Sequence, residues 1–153
     1  MSALELKIPP VLATILFAAL MWAIHRFTPG MTLPQEVRIL LVVFAAILSA
    51  GTGLAGVASF KRAKTTVNPL KPEDSSTLVA SGVFKRTRNP MYLALLLLLA
   101  GWGIYLSNPF SLLLAAGFIL YMNRFQIAPE ERALEEKFGA AFRDYKKQVR
   151  RWI

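Results

Sequence analysis

Two short clusters in the C-terminal half of the sequence hold the side chains best suited to chemistry: Arg88-Asn-Pro-Met-Tyr92 and the carboxylate pair Glu130-Glu131. Adjoining carboxylates can accept hydrogen bonds from an ammonium or a hydroxyl, or take up a proton. An amide such as Asn89 hydrogen-bonds a ligand without titrating, and Val79, Phe84 and Tyr92 can form apolar walls. Other chemistries are scarce. The chain has no cysteine, which excludes disulfides, thiolate metal sites and a Cys nucleophile, and its single His leaves little for a His-based metal centre or a Ser-His dyad. No metal site is expected. Both clusters also have plain readings: Pro90 suits the first turn of a helix after a basic stop, and Glu130 and Glu131, following Pro129, suit the positive end of a helix dipole.

Composition says what kind of scaffold must carry these residues. Of the 153 residues 55% are hydrophobic and only 18% charged, too apolar for an ordinary soluble fold, so the excess must face lipid. Crossing a hydrocarbon core of about 30 Å takes roughly 20 apolar helical residues. The stretches 9–27 and 37–60 meet that requirement. The apolar block that begins at Met91 is broken by Ser107-Asn-Pro109, a turn signal that splits it into spans over 91–106 and 109–127, the second reaching past Asn123 towards Ile127. The expectation is a single all-α integral membrane domain over 1–153, with about four transmembrane helices and a C-terminal amphipathic cytoplasmic helix.

The formal charge is +9, and its distribution is informative: of 18 Lys and Arg, seven lie between Phe60 and Pro90 and eight between Asn123 and Ile153. The positive-inside rule then places the elements 61–90 and 128–153 in the cytoplasm, with both termini inside and the 28–36 loop and the Ser107 turn outside. That rule also accounts for the high isoelectric point, so nucleic acid is not an expected partner. Only Lys7 precedes the first apolar stretch, and Glu5 offsets it, which reads as a retained helix in a multi-pass protein of a bacterial or archaeal inner membrane.

Gly51-Thr-Gly53-Leu-Ala-Gly56 matches a dinucleotide-binding fingerprint in letters only. That fingerprint needs a preceding strand, whereas these glycines lie inside an apolar helix and better serve close helix packing. The segment 61–90, with Pro69, Pro72 and Gly82, is long for a plain connection and is expected to carry function. Further on, Leu134, Phe138, Ala141, Phe142, Tyr145 and Val149 recur at helical spacing, predicting a helix that lies on something apolar, with a break or close contact at Gly139. The closing Arg150-Arg151-Trp152 suits an anchor at anionic headgroups.

The ordered set Thr77-Leu-Val, Ser81-Gly-Val-Phe84, Arg88-Asn-Pro-Met-Tyr92, Asn108-Pro109, Glu130-Glu131, Phe138-Gly139 and Tyr145 resembles the isoprenylcysteine carboxyl methyltransferase family. That family shares its Arg-His-Pro and Glu-Glu pattern with the phospholipid N-methyltransferases. The resemblance covers about half the chain, from Ser76 onward. It implies that Thr77, Leu78, Val79, Phe84, Asn89, Pro90, Met91, Tyr92 and Glu130 line a site for S-adenosylmethionine. Such a site needs apolar walls, amide hydrogen bonds and a carboxylate for an ammonium or a ribose hydroxyl. Methyl transfer from a sulfonium is an in-line displacement served by positioning in a dry pocket, and it asks for neither metal nor protein nucleophile. Asn89 stands where the eukaryotic enzymes have histidine, removing a titrating group. Gln126 stands where the prenylcysteine enzymes carry an arginine for the substrate, leaving Arg124 to supply a cation and Glu131 or water to accept a proton from the acceptor.

Two other functions fit parts of the sequence. A small four-helix transporter or channel would carry an ionisable residue at mid-membrane, and none of the four spans does. A non-catalytic assembly protein accounts for everything except the ordered motifs, and a reductase would need pyrophosphate chemistry that has no place here. The expected function is methyl transfer to a lipophilic acceptor at the cytoplasmic membrane face. Prenylcysteine, a phospholipid amine, an isoprenoid or fatty lipid and a small thiol all stay open as that acceptor.

Overall fold

A computed structural model describes residues 5–64 and 75–153 of the chain; Pro69 and Pro72 of the polar segment lie outside the described residues. Among the described residues all regular structure is helical. The helices are α1 (Pro10–Phe27), α2 (Gln35–Arg62), α3 (Pro90–Tyr105), α4 (Pro109–Met122), α5 (Ala128–Phe138) and α6 (Ala140–Gln148). A 3₁₀ turn, Gly82–Lys85, precedes α3, and a π-helical turn, Asn123–Ile127, joins α4 to α5.

Proline sets three of the starts. Pro10, Pro90 and Pro109 each occupy a first helical turn, where a missing N–H breaks no hydrogen bond. Asn108 caps α4 by accepting from the Ser111 N–H at 2.8 Å, while its amide nitrogen donates to the Thr28 hydroxyl at 2.9 Å and the Pro29 carbonyl at 3.2 Å. One buried side chain thus ends α3, starts α4 and fixes the exit of α1.

α1, α2 and the continuous helical run Pro109–Phe138 are long and apolar enough to cross a membrane. α3, with 16 residues, is about 24 Å long. The apolar part of the third run is α4. α5 has a charged residue at six of its eleven positions, and so belongs to the aqueous side. Leu12, Ile15 and Leu16 on α1, Leu40, Phe44 and Ile47 on α2, and Leu113 and Leu120 on α4 project outward unpaired, the surface of a protein solvated by lipid. The chain is an all-α integral membrane protein.

α2 lies along α3, which also packs on α4 and α1, and these two pack on each other. The glycines of α2 permit the closest contact. A Cβ at Gly53 would stand 3.3 Å from the Ala94 Cβ, and one at Gly56 only 3.2 Å from Pro90 and Met91. Ser49 adds a hydrogen bond to the Ala94 carbonyl at 2.8 Å. Gly51 faces open space and plays no part in this contact. The membrane core is built on Met21, Leu99, Phe118, Met122 and Ile127.

A second apolar cluster sits outside the membrane, where Val79, Phe84, Phe142, Tyr145 and Val149 bury one another against Phe60 and Leu134. The amphipathic C-terminal stretch breaks at Gly139, as that glycine leads one to expect, into two helices: Gly139 takes φ +53°, a conformation that ends α5 and that other residues adopt only with strain, and Ala141 falls on the exposed side of the second helix. One sequence expectation is corrected here. The closing residues are not a free headgroup anchor. Arg151 folds back onto Glu131, and the Trp152 indole donates to Asn123 Oδ1 at 3.1 Å while packing on the membrane core.

Candidate functional site

The extended segment before α3 is shaped by Gly82, at φ +62°, where a Cβ would stand only 3.1 Å from the Ser59 hydroxyl on α2. The turn it starts presents Phe84 edge-on to Phe60, with ring centroids 5.2 Å apart. The Tyr145 hydroxyl on α6 donates to the Phe84 carbonyl at 2.7 Å. Burial pushes the Tyr145 phenol further above its ordinary pKa, so it serves as a fixed neutral donor.

The next three residues strap the C-terminal tail to the start of α3. The Thr87 hydroxyl and the Asn89 amide each donate to the Arg151 carbonyl at 3.0 Å, and the Arg88 N–H donates to the Arg150 carbonyl at 2.9 Å. Arg88 Nη1 reaches the carbonyls of Lys146 and Val149, while its Nη2 meets Glu131 Oε1 at 2.5 Å. Arg151 grips the same carboxylate from the other side, with Nε on Oε1 at 3.0 Å and Nη2 on Oε2 at 2.7 Å. At Asn89, an amide hydrogen expected for a ligand is spent within the chain. Arg88 Nε, in contrast, is buried with no hydrogen-bond partner among the described residues.

The two glutamates, adjacent in α5, end in opposite electrostatic states. Burial raises both. For Glu131 the hydrogen bonds and charges of Arg151 and Arg88 outweigh burial and hold the carboxylate below its ordinary range. Glu130 has no such cation among the described residues. Burial carries its pKa up to about 7, partly opposed by the Tyr92 hydrogen bond and helped by the negative charge of Glu131. Adjoining carboxylates whose environments separate their pKa values are a recurrent mark of functional sites.

Around these groups lies a cleft that is partly open to solvent. Thr77, Leu78, Val79, Phe84, Asn89 and Glu130 line it. A smaller adjoining cavity is lined by Pro90, Met91 and Tyr92, with Phe60, Phe84, Arg88, Asn89 and Glu130 shared between the two. All nine residues named from the sequence as cofactor contacts therefore border one of two connected spaces.

The three residues named for the acceptor separate. Glu131 lines the larger cleft but is held by two guanidiniums. Gln126 is buried in the π turn, its amide 3.4 Å from the Tyr92 hydroxyl. Arg124 lines neither cavity: its side chain is 60% exposed and pairs with Glu5 at 3.3 Å, in place of the expected position beside the acceptor. Sequence reading missed Phe60, Phe142 and Tyr145 as walls. It also missed Arg88, although this residue heads the motif and is the one cation lining both cavities among the described residues.

A family profile described as phospholipid methyltransferase matches residues 37–141. The chain is also similar to an uncharacterised protein of Haemophilus influenzae, 52% identical over 63 residues that make up 41% of this chain and the whole of that protein. No solved structure matches.

Proposed function

The chain belongs to the phospholipid methyltransferase family, and from that premise we propose that it transfers a methyl group from S-adenosylmethionine to a lipophilic acceptor at the cytoplasmic face of the membrane. The observation that carries this reading is the convergence of 77–79, Phe84, 89–92 and Glu130 on two connected cavities at the aqueous end of a lipid-facing helix bundle.

The residues fit the cofactor. Val79, Phe84 and Phe142 supply apolar walls for a flat base, and Glu130 accepts from an ammonium or a ribose hydroxyl. Arg88, with a buried donor unused, suits an anionic end. When bound, S-adenosylmethionine supplies a methyl group on a sulfonium, activated for in-line displacement. The chain's own residues position and exclude water: Phe84 and Tyr145 close one wall through their hydrogen bond, and the tail strapped by Thr87, Arg88 and Asn89 holds Glu131 and α5 in place. Glu131, facing two guanidiniums, is a positioning residue, and any proton released by the acceptor goes to water at the cleft mouth.

The acceptor is a lipid because the smaller cavity opens among Phe60, Pro90 and Met91, at the ends of α2 and α3. With Gln126 neutral and Arg124 paired with Glu5, neither of these two positions offers a cation to a prenylcysteine carboxylate. The Lys and Arg asymmetry supports a cytoplasmic site with both termini on the same side.

The test is calorimetric titration of the detergent-purified protein with S-adenosylmethionine and S-adenosylhomocysteine, followed by transfer of labelled methyl to a total lipid extract. Micromolar binding and a labelled lipid product are expected. Failure of both ligands to bind at millimolar concentration would overturn the reading.

A further inference from the structure

We infer that Arg88 is a ligand-binding residue whose Nε–H takes the carboxylate of the cofactor's amino-acid end, while Glu130 takes the ammonium beside it. This rests on the methyltransferase reading above. An α-amino acid is a zwitterion, so its site needs an anion and a cation side by side, each with hydrogen-bonding capacity left. Three charged side chains line the cleft among the described residues: Arg88, Glu130 and Glu131. Glu131 is already matched by Arg88 Nη2 and by both ends of Arg151. Glu130 receives one hydrogen bond, from the Tyr92 hydroxyl, and keeps acceptor capacity.

Arg88 is bound on two of its three nitrogens. Nη1 holds the tail carbonyls and Nη2 holds Glu131, yet Nε is buried and has no partner among the described residues, in a side chain only 10% exposed. A buried N–H with no acceptor is destabilising, and native chains leave few of them. Here the donor belongs to a side chain that borders both cavities, as does Glu130, so an anionic group entering there would satisfy it. The guanidinium thus has two jobs on separate nitrogens, one holding the protein together and one facing the ligand.

The two jobs are separated by comparing S-adenosylhomocysteine with its decarboxylated analogue, which keeps the adenine, ribose, thioether and ammonium. Both are titrated into full-length protein in detergent. The native protein is expected to prefer the carboxylate-bearing ligand by about ten- to a hundredfold, the range of one charged hydrogen bond. Equal binding of the two would overturn the inference alone, and binding of neither would overturn the methyltransferase reading with it. Arg88→Gln is expected to bind both ligands equally and weakly. Arg151→Gln, which removes the other cation on Glu131 but does not border the cleft, is expected to weaken both while keeping the preference. A preference that survives Arg88→Gln, or disappears in Arg151→Gln, would contradict the assignment. The native comparison decides the matter even where Arg88→Gln does not fold.

Discussion

The hydroxyl of Tyr92 donates to Glu130 Oε2 at 2.9 Å, joining the first turn of α3 to the first turn of α5 across a sequence separation of 38 residues. This hydrogen bond favours the ionised carboxylate and opposes the rise that burial imposes on Glu130. Tyr92→Phe is therefore expected to push the Glu130 pKa above about 7 and to move the acid limb of cofactor binding to higher pH. Titrations with S-adenosylmethionine between pH 5.5 and 8.5 would follow the midpoint, and an unmoved midpoint would separate Tyr92 from Glu130.

In the native protein, a ligand ammonium needs Glu130 ionised. Affinity is expected to rise as pH increases to about 7 and then level off, with a proton released on binding near pH 6. Calorimetry in buffers of different ionisation enthalpy reads that proton directly. Glu130→Gln should weaken binding by about 1.5–3 kcal/mol, whereas Glu135→Ala, on the Lys146-paired surface of α5, should not.

Folding stability runs the other way. An acid whose pKa rises from 4.5 unfolded to about 7 folded binds more protons in the native state, so its contribution falls as pH increases between those values and stays lost above them. Unliganded Glu130→Gln should then melt higher than native protein at pH 8, with the difference vanishing near pH 4.5. Thermal melts in detergent test this, and an equal gap at both pH values would contradict it.

How much of this was open to sequence reading divides along physical lines. The spans, the hairpin turn at Ser107 and the apolar stripe through Leu134, Phe142 and Tyr145 follow from periodicity and turn chemistry, which are local. The sharing of Glu131 between Arg88 and Arg151 was not legible, because it depends on where residues 43 and 20 positions away arrive. Arg150-Arg151-Trp152 carries the composition of a membrane anchor, and only the tertiary path of the tail turns it inward. Gln126 and Arg124 show the same limit: two positions apart on one helical turn, they face a buried tyrosine and the buried carboxylate of Glu5 respectively.

Arg151→Ala leaves Glu131 with Arg88 alone and frees the tail. Since Arg151 is 37% exposed, solvent recovers part of the loss, and a destabilisation of about 1–2 kcal/mol is expected. A lowered melting temperature with weaker S-adenosylhomocysteine binding would be the signature, and an unchanged melt would show the tail contact to be incidental.

Prenylcysteine analogues should be poor acceptors for the native protein, because Gln126 offers neutral hydrogen bonds where a carboxylate wants a cation. Labelled methyl transfer to a farnesylcysteine analogue and to total lipid extract, for native protein and Gln126→Arg, makes the comparison. Robust methylation of farnesylcysteine by native protein, lost on Arg124→Ala, would reverse this conclusion.

Cysteines introduced singly at Gly30 and Lys64 of this Cys-free chain would report orientation. Impermeant thiol reagents are expected to reach the first from outside the cell and the second only after the membrane is opened. The opposite pattern would place the cleft on the outer face.

The π turn Asn123–Ile127 has a consequence for how α5 is aimed. Such a turn amounts to one residue inserted in an α-helix, and each residue advances the helical phase by about 100°. The wide turn absorbs that extra residue, so the bearing of Glu130 and Glu131 relative to α4 depends on its being kept. The same residues wound as a regular α-helix would turn the carboxylates by about 100° out of the cleft, whereas loss of one residue together with the wide turn would leave them where they are. The π turn, as an insertion already accommodated, keeps the carboxylate face registered with the membrane bundle.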